Sequence, residues 1–246
     1  MEMRKKELVK RYVVYVLGVY VLAMGLAMII TSSLGTSPIS SWAYVMSRNT
    51  PLSVGIYTFI INMAMIAGQF MVLRHHGLRR QIVNIGLQIP FSFMFSAFID
   101  FNIWLMNASG LAELQPFGDS SFSLYLYCFL LLVSGCFIQS VGVLFEVRAG
   151  VTMMSGEAFV YYICTRWSRE FGRVKVVFDV TLVLLAVVSS IGFSLAKTNG
   201  TVSIDAVLDG LFCAVREGTV IAALSVGQIV RVLARHAGWI DRWCVK

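Results

Sequence analysis

The chain has 246 residues, 58% hydrophobic and 13% charged, with a mean hydropathy of +0.78. A soluble domain of this length needs a much more polar surface, so the composition excludes one. The net charge of +7 invites a nucleic-acid reading, but the basic residues collect in short loops and tails, and no free basic domain is left to face a phosphate backbone.

The N-terminal "MEMRKKELVKR" precedes an apolar stretch too long for the core of a signal peptide and without a small-x-small cleavage site. It predicts a retained first span near 12–32. Next comes "TSSLGTSPISSWAYVMSRNTP", crowded with Ser, Thr, Gly and Pro, which offers about three helical turns before "SRNTP" stops it. Spans near 53–73, 82–106 and 121–146 follow. A second short segment opens at "GVTMMSGEAF" (150–159), and spans near 175–196 and 214–235 complete the set. Tyr12–Thr31, Val54–Leu73 and Ser121–Phe145 each hold at least 20 residues without Asp, Glu, Lys or Arg, enough to cross the hydrocarbon core. As helices rising about 1.5 Å per residue, Ser37–Ser47 and Met153–Thr165 reach only about half as far.

Basic residues mark one side of the membrane. They fill the N-terminal tail (Arg4, Lys5, Lys6, Lys10, Arg11), the loop "LRHHGLRR", the stretch 147–175 and the C-terminal tail. Residues 103–120 contain no Lys or Arg, and 196–210 contain only Lys197. All four basic stretches are cytoplasmic only if six segments span and the two short ones dip in and return, the first from outside and the second from the cytoplasm. Both termini are then cytoplasmic.

The halves resemble each other. "LGVYVLAMGLAM" (17–28) lies over "SGCFIQSVGVLF" (134–145) at an offset of 117, matching Gly18 with Gly135 and Gly25 with Gly142. "GTSPISSWAY" lies over "GVTMMSGEAF" at an offset of 115, pairing Ser37 with Thr152, Ser40 with Ser155 and Trp42 with Glu157. At 117 again, Asn62 meets Asp179. Each half has three spans, an odd number, so duplicated halves insert with opposite orientation. The predicted fold is a single all-α polytopic membrane domain over 1–246. Its six transmembrane helices and two re-entrant half-helices form an inverted-topology repeat of 12–106 and 121–235, an architecture associated with transporters and channels.

"GLAMIITSSLGTSPISS", "PLSVGIYTFIIN", "GRVKVVFD" and "REGTVIAALSVGQIV" together resemble the YitT/YczE-like bacterial integral membrane proteins over most of the chain. The resemblance implies a multi-pass protein of the bacterial inner membrane.

The polar starts of the two short segments are the candidate substrate site. Ser37 before Pro38, with Thr36 beside it, suits a helix N-cap followed by proline at the first position. Thr152 is the equivalent cap, with Ser155 three residues on. Half-helix N-termini in a dry core present free N–H groups and a positive dipole end to an anion or a polarised carbonyl. The plainer account is that Gly35 and Gly150 allow tight turns while the hydroxyls cap helices. Glu157 lies in otherwise apolar "GEAFVYYI" and either faces a cavity, carrying a cation or a proton, or pairs with Arg148 or Arg166. Trp42 is the aromatic wall opposite. Asp179 either pairs with Lys175 four residues earlier or shares an inward polar position with Asn62.

No G-x-S-x-G, H-E-x-x-H or Walker A motif occurs, so no enzyme and no cofactor is expected. His75 and His76 lack ligand spacing, and the five cysteines form no C-x-x-C pair and read as buried thiols, so no metal is expected. The expected partners are a small solute and the lipid bilayer. The Gly spacing in the first span of each half suits close packing, within one chain or in a homo-oligomer. The expectation is a secondary transporter or facilitator of a small polar or anionic solute, and the alternative a membrane scaffold or accessory subunit.

Overall fold

A computed structural model describes residues 5–73, 78–111, 121–197 and 216–236. The histidine pair, Cys213, Cys244, Arg242 and Lys246 lie outside these residues. Among the described residues the chain is all-helical: α1 (Lys5–Thr31), α2 (Pro38–Asn49), α3 (Val54–Leu73), α4 (Leu78–Ala108), α5 (Ser121–Ala149), α6 (Ser155–Trp167), α7 (Phe171–Lys197) and α8 (Glu217–His236). Six of them, all but α2 and α6, are long and apolar enough to cross a membrane, which makes this a multi-pass membrane protein. With 12 and 13 residues, α2 and α6 extend only about 18–20 Å.

The helices sort into two compact units, and neither is a half of the sequence. The first comprises Met1–Leu34, Phe98–Met153 and Val220–Lys246; the second comprises Gly35–Ala97 and Met154–Thr219. Each therefore draws on both halves of the sequence.

The first unit is built on the packing of α1 against α5. Gly25 lies against the backbone of Gln139 and Gly142 against that of Leu22; a Cβ at either glycine would come within 2.6 Å of the facing Cα. No side chain fits there, so the glycines let the two backbones touch, the close approach that small residues give membrane helices. Gly18 faces Phe145 and Gly135 faces Ile29, so rising numbers on α1 meet falling numbers on α5 and the pair is antiparallel. At one end of this unit Arg11 Nη1 donates to the carbonyl of Ala149 (3.2 Å) and Arg148 Nη2 to that of Ala234 (2.6 Å). These cations close the last carbonyls of α5 and α8, as the helix dipole favours. They also bring the start of α1 to the same end of this unit as the finish of α5 and α8.

In the second unit α2 and α6 each pack on α3 and α7. Ile61, Met65 and Leu182 form the core here, covered by Ile39, Trp42, Phe159 and Phe178. The entry to α2 depends on Gly35, whose φ of +139 is reached easily only by glycine and whose missing side chain makes room for Thr219. Pro38 is the first helical residue. At the other end Asn49 Nδ2 and Thr50 Oγ1 bond the carbonyls of Val45 and Met46, both at 2.8 Å, and Pro51 follows, which is why "SRNTP" stops the helix.

The start of α6 corrects one sequence reading. The chain turns at Gly150 (φ +61) and enters no helix before Ser155, so α6 begins there with Met154, not Thr152, as its N-cap. Thr152 Oγ1 instead reaches the carbonyl of Met153 at 3.5 Å. Pro38 and Ser155 open α2 and α6, and Val54 and Phe171 open α3 and α7, both pairs 117 residues apart. The offset of 117 thus holds through the short helices. Glu157 corresponds in position to Ser40, and Trp42 to Phe159.

Candidate functional site

Two polar stripes run through the apolar helices of the second unit. On α3, Thr58, Asn62 and Gln69 recur at helical spacing, and on α4 Gln88, Ser92 and Ser96 follow one another every four residues. All six are buried. Gln69 Nε2 donates to Gln88 Oε1 (2.7 Å) and to the carbonyl of Ser155 (3.0 Å), while Ser155 Oγ donates to Asn62 Oδ1 (2.8 Å). The first residue of α6 is thereby held between two side-chain amides of α3.

This arrangement leaves groups over. Asn62 Nδ2, Gln69 Oε1, Ser92 Oγ and Ser96 Oγ are buried and make no hydrogen bond with the protein. Native interiors leave few such atoms, because each forfeits its bond to water without replacement. No side chain caps the N-terminus of α6 either. Two of these atoms, Asn62 Nδ2 and Gln69 Oε1, belong to the amides fastened to Ser155, where a helix start offers its own free N–H groups.

The start of α2 lies close by. Gly156, second in α6, faces the Cδ1 of Ile39, second in α2, so closely that a Cβ on the glycine would stand 2.6 Å from it. The N-terminal turns of the two short helices meet, as the sequence suggested, but through Gly156 rather than through Thr152. Ser37 does not cap α2 with its side chain; its Oγ lies 3.0 Å from Ser40 Oγ, and both hydroxyls are buried. Thr36 donates its backbone N–H to Thr219 Oγ1 (3.2 Å) and its own hydroxyl to the carbonyl of Ser37 (3.0 Å). These bonds fix the loop rather than leave it open.

Trp42 Nε1 donates to Ser189 Oγ (3.2 Å) while its ring stands edge-on to Tyr57. That makes it a wall residue of the core. Asp179 forms the plain pair with Lys175 at 2.7 Å, half-buried. Glu157 is not matched to Arg148 or Arg166; the charges acting on it are Lys175 and Asp179 of α7. Burial pushes its carboxyl above the ordinary carboxylate range, Lys175 pulls it back and Asp179 pushes it further up. Arg216 and Glu217 form an ion pair at the start of the last helix (3.6 Å). Cys136 and Cys164 are buried and free, and Cys128 is half-buried. Among the described residues no group of three or more His, Cys, Asp or Glu could hold a metal ion.

One family model matches residues 9–235, nearly all of the chain. The chain belongs to the Family of unknown function (DUF6198). No curated protein and no solved structure matches it. Within this DUF6198 chain, then, the geometry alone must speak for the site. The residues that the sequence reading missed are Gln69, Ser92 and Ser96. The signal for them was present: polar residues seven apart on one span (Asn62, Gln69) and four apart on the next (Gln88, Ser92, Ser96). Gln88 reads from sequence as a companion of Pro90 in a bent helix, whereas it is the hydrogen-bond partner of Gln69.

Proposed function

We propose that the protein is a secondary transporter or facilitator for a small polar solute, with its site at the N-termini of α2 and α6, which dip into the membrane and return. The observation that carries this reading is the pair of buried, unsatisfied amide atoms, Asn62 Nδ2 and Gln69 Oε1, whose side chains hold the uncapped start of α6. A purely structural interior has no use for them, whereas a solute that visits the site satisfies them in passing.

The pattern of contacts 117 residues apart supports the same reading and belongs with an inverted repeat. Exchanging residues 117 apart turns the contact of Gly25 with Gln139 into that of Gly142 with Leu22. The same exchange turns the packing of α2 on α7 into that of α6 on α3, and α2 on α3 into α6 on α7. It also swaps Ile61 with Phe178, Met65 with Leu182 and Trp42 with Phe159 within one core cluster. Transporters of this plan hold substrate where broken or half-length helices begin. Orientation in a bacterial inner membrane with both termini cytoplasmic, and kinship with the YitT/YczE-like proteins, belong to the same proposal.

The competing reading is a scaffold subunit, and the close fit of Ile39 on Gly156 favours it, since packed helix tips need no ligand. Thermal-shift measurements on the purified chain against inorganic anions, carboxylic acids, amino acids and polyols separate the two. Transport predicts a rise in melting temperature with one chemical class, lost in Asn62→Leu. No response to any compound favours the scaffold.

A further inference from the structure

The unsatisfied atoms at the start of α6 are of two kinds, and the difference specifies the solute. Gln69 Nε2 is committed to two acceptors, one of them the backbone carbonyl of Ser155, which can only accept. The amide is therefore locked with Oε1 outward from both bonds, and that oxygen, on a side chain with no exposed surface, has no donor. Asn62 Nδ2 lacks an acceptor, and the uncapped first turn of α6 needs acceptors too. Both amides are fastened to one residue, Ser155, so the two demands lie within one small molecule's reach.

We infer that the site takes a small carboxylic acid that carries its own hydrogen-bond donor, an amino acid or a hydroxy acid, rather than a bare anion. The carboxylate accepts from Asn62 Nδ2 and from the N–H groups at the start of α6, where the dipole favours negative charge. The amine or hydroxyl donates to Gln69 Oε1. An inorganic anion or a simple acid such as acetate satisfies the first demand and leaves the Gln69 oxygen buried and unpaired. Sites built to bond a donor reject the analogue that lacks it for this reason.

The inference rests on the transport reading of this site, and its test separates the two. The purified full-length protein is titrated by thermal shift and calorimetry with the twenty common amino acids, glycolate, lactate and malate. Acetate, propionate, succinate, phosphate and sulfate serve as the donor-free set. At least one donor-bearing acid is expected to bind on the order of tenfold or more tighter than its donor-free counterpart, such as lactate over propionate. Asn62→Leu, checked for helicity by circular dichroism, is expected to lose that binding. Equal binding of donor-bearing and donor-free acids, or of phosphate or sulfate alone, overturns the donor requirement while leaving transport standing. Binding that survives in Asn62→Leu overturns the location. Absence of any binding overturns both.

Discussion

At the scale of single residues, the helix crossing at Gly25 and Gly142 is the most demanding position. A methyl at Gly142 has the Leu22 backbone in its way, and backbone cannot rotate aside as a side chain does. Gly142→Ala is expected to cost about 1–3 kcal/mol, read as a lower melting temperature in detergent. Gly86→Ala, inside α4 where a Cβ meets nothing within 4 Å, is the control and is expected to leave the melt unchanged or slightly raised. Equal melts for the two variants would refute the backbone contact. The sequence already carries the matched pairs Gly18 with Gly135 and Gly25 with Gly142, because glycine in an apolar helix costs propensity and needs a reason. It does not carry the polar stripe equally well. Asn62 stands out in an apolar span, but Gln69 and Ser92 acquire meaning only once α6 is docked between the amides.

At the scale of elements, the six spans are legible because length and hydropathy answer to one physical constraint, the thickness of the bilayer. The short helices are legible by default, as segments too short to cross. Their start points are not, because the choice between Thr152 and Met154 depends on how far the chain runs between the turn at Gly150 and the first helical residue. Glu157 gives α6 a titratable group. Its carboxyl is raised in the folded protein, so as pH climbs past 4.5 the unfolded chain releases the proton first while the folded chain retains it. Folded-state stability accordingly declines with rising pH over that range, opposed by Lys175 and reinforced by Asp179. Glu157→Gln does not titrate, so its melting temperature is expected to fall less between about pH 5 and pH 8 than that of the wild type. Parallel pH profiles would show that Glu157 is solvated like a surface carboxylate.

For the whole molecule, the charge distribution makes a statement that no single contact makes. If the basic stretches share one side, an alkaline phosphatase reporter fused after Gly110 is expected to be active and one fused after His236 inactive, with a green fluorescent protein reporter giving the opposite result. Activity after both Gly110 and His236 would require an even number of spans between them, where the inverted arrangement has three, and would remove that arrangement. The division into units that each mix the two halves was beyond the sequence, since pairing between distant helices leaves no local signature.

The antiparallel seam of α1 and α5 also sets a timetable. Leu22 and Gly142 are 120 residues apart, and Gln139 follows Gly25 by 114. At about 5–20 residues per second a gap of that length takes roughly 10 s to translate. Throughout that interval α1 has been made and its glycine face has no mate. The groove that later admits α5 must face lipid or be covered by whatever escorts the nascent chain, so the vulnerable moment in this protein's life falls before its fourth long apolar segment has been released.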